Sequence, residues 1–146
     1  MPDEKQFCTF MVDDMYFGVE VLKVQEVIRY QEMTRVPLAN SVLRGLINLR
    51  GQIVTAIDIR ERLELPPRPA GQLPMNVVVR TGDGVVSLLV DEIGDVLNVD
   101  TESHEHAPET LSGIARELIT GVYKLKDRLL LVMDTEIAVN FGGSVA

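Results

Sequence analysis

Two histidines, His104 and His106, flank Glu105 in a stretch that also carries Glu102 and Glu109. Imidazoles two residues apart on an extended segment share one face and could hold a transition metal. No third ligand stands at a firm spacing, and a solvated acidic loop ahead of Pro108 is the plainer reading. Asp91-Glu92 with Asp95 could supply an acid and a base. Charges at a strand end ordinarily face water, however, and nothing in the sequence drives their proton affinities apart. Cys8 falls on an expected strand, remote in sequence from both histidines, which suits a packed thiol better than a nucleophile. The frames G-x-x-x-x-G-K-[ST], G-x-G-x-x-G, G-x-S-x-G and S-x-x-K do not occur. These residues point away from catalysis and from a bound cofactor.

Composition narrows the class further. The chain has 146 residues, 46% of them apolar, which is about one domain with enough core to fold. Fourteen basic against 22 acidic residues leave a net charge of -8, which repels a phosphate backbone and disfavours nucleic acid as a partner. One cysteine permits neither an internal disulfide nor a cysteine-based zinc cluster. The longest apolar runs, such as Leu129–Met133, fall far short of a membrane span, and Met1-Pro2-Asp3-Glu4-Lys5 lacks the features of a signal peptide. A cytoplasmic protein without membrane insertion is expected.

Any functional side chain here must be positioned by strands. Phe7–Val12 and Tyr16–Val21 flank Asp13-Asp14, and Gly45–Leu49 and Gln52–Ile59 flank Arg50-Gly51, where Gly51 can take a positive φ. Asn76–Arg80 and Val85–Val90 flank Thr81-Gly82-Asp83-Gly84, and Leu118–Leu125 and Leu129–Met133 flank Lys126-Asp127-Arg128. Short helices are expected at Val21–Gln25, Ile59–Leu63 and Glu136–Phe141, the last before Gly142-Gly143. Many short strands with regular turns indicate an all-β barrel or sandwich class. Leu63–Pro74 holds four prolines and cannot be a central strand. It reads as an ordinary surface loop in which loss of Pro66–Ala70 would be tolerated better than disruption of either hairpin.

An internal repeat lies on either side of that loop. Val21–Ile28 matches Val90–Leu97, with Glu26 opposite Asp95. Gly45–Asp58 matches Gly121–Asp134, with Arg50 opposite Lys126 and Asp58 opposite Asp134. Two similar small β units are implied, each marginal alone and packed tightly on the other.

The stretch F-G-V-E-V-L-K-V-Q-E-V-I from Phe17 to Ile28, followed by G-L-I-N-L-R-G-Q-I-V from Gly45 to Val54, closely resembles the CheW family. These coupling proteins join bacterial chemoreceptors to the histidine kinase CheA. The resemblance continues through Ile57-Asp58-Ile59-Arg60, Val90-Asp91 and Gly94–Leu97 to the Leu118–Asp134 hairpin, nearly the whole chain. Thr55 departs from it, standing where the family commonly has proline.

The resemblance implies an all-β fold with short helices: two intertwined, SH3-like five-stranded β-barrel subdomains packed on a shared hydrophobic core. A single domain over 1–146 is expected, with subdomains over about 15–65 and 75–134 that the N-terminal strand and C-terminal segment complete. No catalytic activity and no cofactor are implied. The implied partners are the regulatory domain of a CheA-type kinase, bound barrel to barrel, and the cytoplasmic tip of a methyl-accepting chemoreceptor, bound in an apolar groove between the barrels. Other CheW-like domains in rings are a further partner class. A relative serving twitching, gliding or another receptor–kinase array is the alternative within the family, and a metal-binding barrel using His104 and His106 the alternative outside it. The length suggests a stand-alone adaptor, without kinase or receiver domains.

Val24, Glu26, Gly45, Asn48, Arg50, Gly51 and Val96 match the family's receptor and kinase coupling positions. Val24 and Val96 could equally be core valines, and Gly45 a purely backbone requirement. A guanidinium on a tight turn offers a preoriented fork to a partner's carboxylate, and within the chain Glu26 is expected to pair with Arg50. The duplication adds a second expected pair, Asp95 with Lys126.

Overall fold

The computed structural model describes residues 4–37, 40–82, 84–109, 111 and 113–140. Its strands are β1 (Glu4–Val12), β2 (Met15–Glu20), β3 (Val24–Ile28), β4 (Leu43–Leu49), β5 (Gln52–Asp58), β6 (Met75–Thr81), β7 (Gly84–Val90), β8 (Glu92–Asp100), β9 (His104–Glu105), β10 (Ile119–Lys124) and β11 (Leu129–Met133). Three short helices join them, α1 (Ile59–Arg62), α2 (Gly113–Glu117) and α3 (Thr135–Val139). All four expected hairpins form. Asp83 of the third turn, and Phe141 and Gly142-Gly143 at the expected end of α3, lie outside the described residues. The helix expected over Val21–Gln25 is a single 3-10 turn, Val21–Lys23, after which the β-branched pattern takes over as β3. No described helix is long and apolar enough to cross a membrane.

The strands form two sheets, ordered β8-β1-β2-β11-β10-β9 and β3-β6-β7-β5-β4. The two are built alike. β5 runs parallel to β7 in one, and β11 parallel to β2 in the other. The Thr34 bridge to Leu46 on β4 has its counterpart in the pairing of Glu105 on β9 with Val122 on β10. Asp58 caps α1 by accepting from the Arg60 amide, and its repeat mate Asp134 caps α3 by accepting from the Ile137 amide. The expected subdomain limits of 15–65 and 75–134 do not follow the sheets. β6 and β7 complete the sheet of β3–β5, whereas β1 and β2 complete the sheet of β8–β11, so each half lends a hairpin to the other.

Alternation along the strands explains the packing. In β4, Leu43, Gly45, Ile47 and Leu49 point inward, with Arg44, Leu46 and Asn48 between them. One large core draws on both sheets, with Phe10, Phe17 and Leu131 from one and Ile57, Val77 and Leu88 from the other. A smaller core fills each barrel, around Ile47, Val54 and Val78 in one and Phe7, Tyr123 and Leu130 in the other. This is the intertwined double barrel on a shared core. Thr55 leaves β5 unbroken, paired with Leu46 on one side and Val86 on the other.

The proline segment is not an ordinary surface loop. It has no regular structure between α1 and β6, yet the Arg68 side chain is only 7% exposed and reaches Asp58 and Asp91. Deleting Pro66–Ala70 would strip those contacts away.

Candidate interaction site

The β4–β5 connection is a two-residue turn closed by the Leu49–Gln52 pair. Both central residues have positive φ, Arg50 at 52° and Gly51 at 87°, as a type I′ hairpin requires. The Asn48 side chain holds this turn, its Oδ1 accepting from the Gly51 amide at 2.9 Å. Arg50 is thereby presented on a rigid tip with its side chain 77% exposed.

Glu26 comes to meet it from β3. The pairing of β3 with β6 slips between Val24 and Glu26, a bulge that re-aims the side chains beyond it. β3 and β4 are the two edges of the five-stranded sheet, and here the edges are joined. Arg50 Nη1 donates to Glu26 Oε2 at 2.6 Å and Nη2 to Oε1 at 3.0 Å, a two-pronged clasp. The Arg50 guanidinium holds the Glu26 carboxyl below its ordinary pKa, against the opposite pull of desolvation. The pair expected from the sequence is present.

Its expected counterpart is not: among the described residues no ion pair joins Asp95 to Lys126. The bulge does recur, since β8 slips against β1 between the Cys8 and Phe10 pairings, at the positions repeating Gln25 and Glu26. What changes is the turn. Asp127 replaces Gly51, neither Lys126 nor Asp127 adopts positive φ, and the loop closes by the Leu125 amide donating to the Arg128 carbonyl at 2.8 Å. Without the left-handed turn, the repeat does not rebuild the clasp. Arg128 instead lies over the Tyr16 ring, 4.4 Å from its centre.

The remaining matched positions divide between the sheets. Val24 is half-buried and packs against the shared core. Gly45 allows residues 33–34 to lie against β4, because a Cβ there would meet the Thr34 carbonyl oxygen at 2.8 Å. Val96 belongs to the other sheet, on edge strand β8, and at 57% exposure it is no core residue. Val27 on β3 and Ile53 on β5 are also exposed, as is Leu22, at 90%, on the 3-10 turn that leads into β3.

Of the other candidates, Cys8 is half-buried on β1, and desolvation raises its pKa. His104 stands edge-on to Tyr123, ring centres 5.6 Å apart. Among the described residues no group of three or more His, Cys, Asp or Glu is placed to hold a metal. Asp91 does not face water as expected. Arg60 Nε and Nη2 donate to it at 2.8–3.1 Å, and the Asp13 amide donates at 2.7 Å. Burial alone raises its pKa and is the largest single effect, but these donors and Arg68 together hold it below the ordinary value. This charge cluster leaves no signal in the sequence, because Arg60, Arg68 and Asp91 lie on separate elements with no shared periodicity.

The CheW-like domain family model matches residues 6–140. The chain is 33% identical over 132 residues to the chemotaxis protein CheW of Klebsiella aerogenes, covering 90% of this chain and 80% of that one. It is 30% identical over 136 residues to the chemotaxis protein CheW of Bacillus subtilis, covering 93% and 87%. The crystal structure of the scaffolding protein TtCheW from Thermoanaerobacter tengcongensis has the same fold, with a TM-score of 0.85, 24% identity and coverage of 99% and 97%. A double barrel with matching repeats, a family match along almost its full length and relatives at this identity lead to one conclusion: the chain belongs to the CheW-like domain family of non-catalytic chemotaxis adaptors.

Proposed function

We propose that this protein couples chemoreceptors to a CheA-type histidine kinase, binding the kinase regulatory domain and the receptor's cytoplasmic tip on different faces. The observation that carries this reading is the Glu26–Arg50 clasp, a rigid and exposed charged fork in a member of this family. Val24, Gly45, Asn48, Gly51 and Val96 complete the coupling positions. Exposed Leu22, Val27, Ile53 and Val96 supply apolar area for a helical partner, which anchors at i, i+3 and i+4 spacing. The protein acts in the cytoplasm, at receptor arrays through its partners, and other CheW-like domains are candidate neighbours there. Coupling follows if receptor packing alters contacts on one face and so the placement of the kinase on the other.

Calorimetric titration against a CheA regulatory domain from the same organism tests this. Saturable one-to-one binding, unchanged by Arg50→His, is expected, while the same substitution weakens capture by receptor-tip helices. Absence of kinase binding would redirect the function to another receptor–kinase array.

A further inference from the structure

The two sheets are joined by more than their shared core. Asp91 lies between β7 and β8, where the chain passes from one sheet to the other. Its amide donates to the Met11 carbonyl at 3.0 Å, and its carboxylate accepts from the Asp13 amide at 2.7 Å, so it grips the β1–β2 turn. Asp58, 1% exposed at the end of β5, accepts from Arg44 at 2.7 Å. Arg68 reaches both carboxylates. Its Nη1 lies 3.3 Å from Asp58 Oδ2 and its Nε 2.9 Å from Asp91 Oδ1, while Nη2 donates to the Leu89 carbonyl at 3.2 Å. Arg60 fastens the same segment by donating to the Pro66 carbonyl at 2.9 Å.

From this arrangement we infer that Arg68 is a positioning residue: it makes the proline segment a latch that holds the β1–β2 turn, and with it the six-stranded sheet, at a fixed placement on the five-stranded sheet. Three guanidiniums, Arg44, Arg60 and Arg68, face three carboxylates, Asp13, Asp58 and Asp91. Removing Arg68 leaves buried carboxylate charge short of a partner, which a low-dielectric site tolerates poorly. Four prolines restrict the unlatched segment, so little entropy is lost when it is held. Arg50 and Val96 lie on different sheets, and their relative placement is what the latch sets. Only this last consequence, for coupling, rests on the adaptor reading.

Native-state hydrogen exchange of the full chain, followed by NMR, tests the latch without any partner. In Arg68→Met, the amides of Asp13, Arg60 and Asp91 should lose tenfold or more of their protection, while Ile47 and Val54 inside the five-stranded barrel keep theirs. Arg68→Lys, which restores a charge without the fork, should recover part of it. A uniform fall at all five amides would reduce Arg68 to general stability, and no change would return the segment to an ordinary loop. Either result overturns the latch and leaves the kinase titration unaffected. Should the methionine variant fail to fold, the lysine variant is read by the same local-against-uniform criterion.

Discussion

Arg50 adopts a left-handed backbone that few side chains accept, with Asn, Asp and His among those that do. Arg50→His therefore keeps the turn while removing the fork, and thermal unfolding followed by circular dichroism should stay cooperative. Loss of cooperativity would make Arg50 structural. Gly45 behaves in the opposite way, being inward and contacted. Gly45→Ala pushes a methyl group toward the Thr34 carbonyl and Met33 Cβ, and should cost about 1–3 kcal/mol in urea unfolding. The Glu26–Arg50 pair was legible because a known motif fixed both partners and Gly51 announced the turn. Asp95 and Lys126 matched by type alone. Their failure to pair goes with the turn, in which neither Lys126 nor Asp127 takes the positive φ that Arg50 and Gly51 adopt.

Among elements, the hairpins were legible because each is punctuated by turn residues between β-rich runs. β8 carries little strand signal of its own. Its sequence E-I-G-D-V-L-N-V-D is mostly exposed and interrupted by a bulge, which blurs the two-residue period. α2 carries no fully buried residue, and only Ile114 and Ala115 pack against the core, too few to mark an apolar stripe. Asp58 and Asp134 matched as repeat anchors, and both prove to be helix caps, but only Asp58 has a second duty. Asp134→Ala should lose about 1 kcal/mol, the ordinary effect of removing a cap. Asp58→Ala also takes a carboxylate from Arg44 and from Arg68, which keeps only Asp91, and should lose about 3–5 kcal/mol, both values measured by urea titration. Equal losses would show that the arginines take little from Asp58.

For the molecule as a whole, the double barrel followed from the repeat and the resemblance. The exchange of hairpins between halves did not, because strand partners far apart in the chain leave no local signal. The charge cluster at the junction also sets an acid limit. Asp91 is held below its ordinary pKa, so its contribution is present above the unfolded value of about 3.9 and lost as pH falls through the folded one. The difference in melting temperature between the native protein and Asp91→Asn should stay constant from neutrality to about pH 5 and shrink below about pH 4. A constant difference down to the lowest pH would mean that Asp91 titrates alike in both states.

The parallel pairing of β2 with β11 ties one of the first strands to the last. During synthesis, the β1–β2 hairpin has no neighbour for that edge until the β10–β11 hairpin has left the ribosome. The N-terminal half meanwhile holds β3–β5 without β6 and β7, and β1–β2 without β8 or β11. This sheet is therefore completed only once β11 has been made, and a chain stalled before Leu129 carries an open, apolar β2 edge available to another nascent chain.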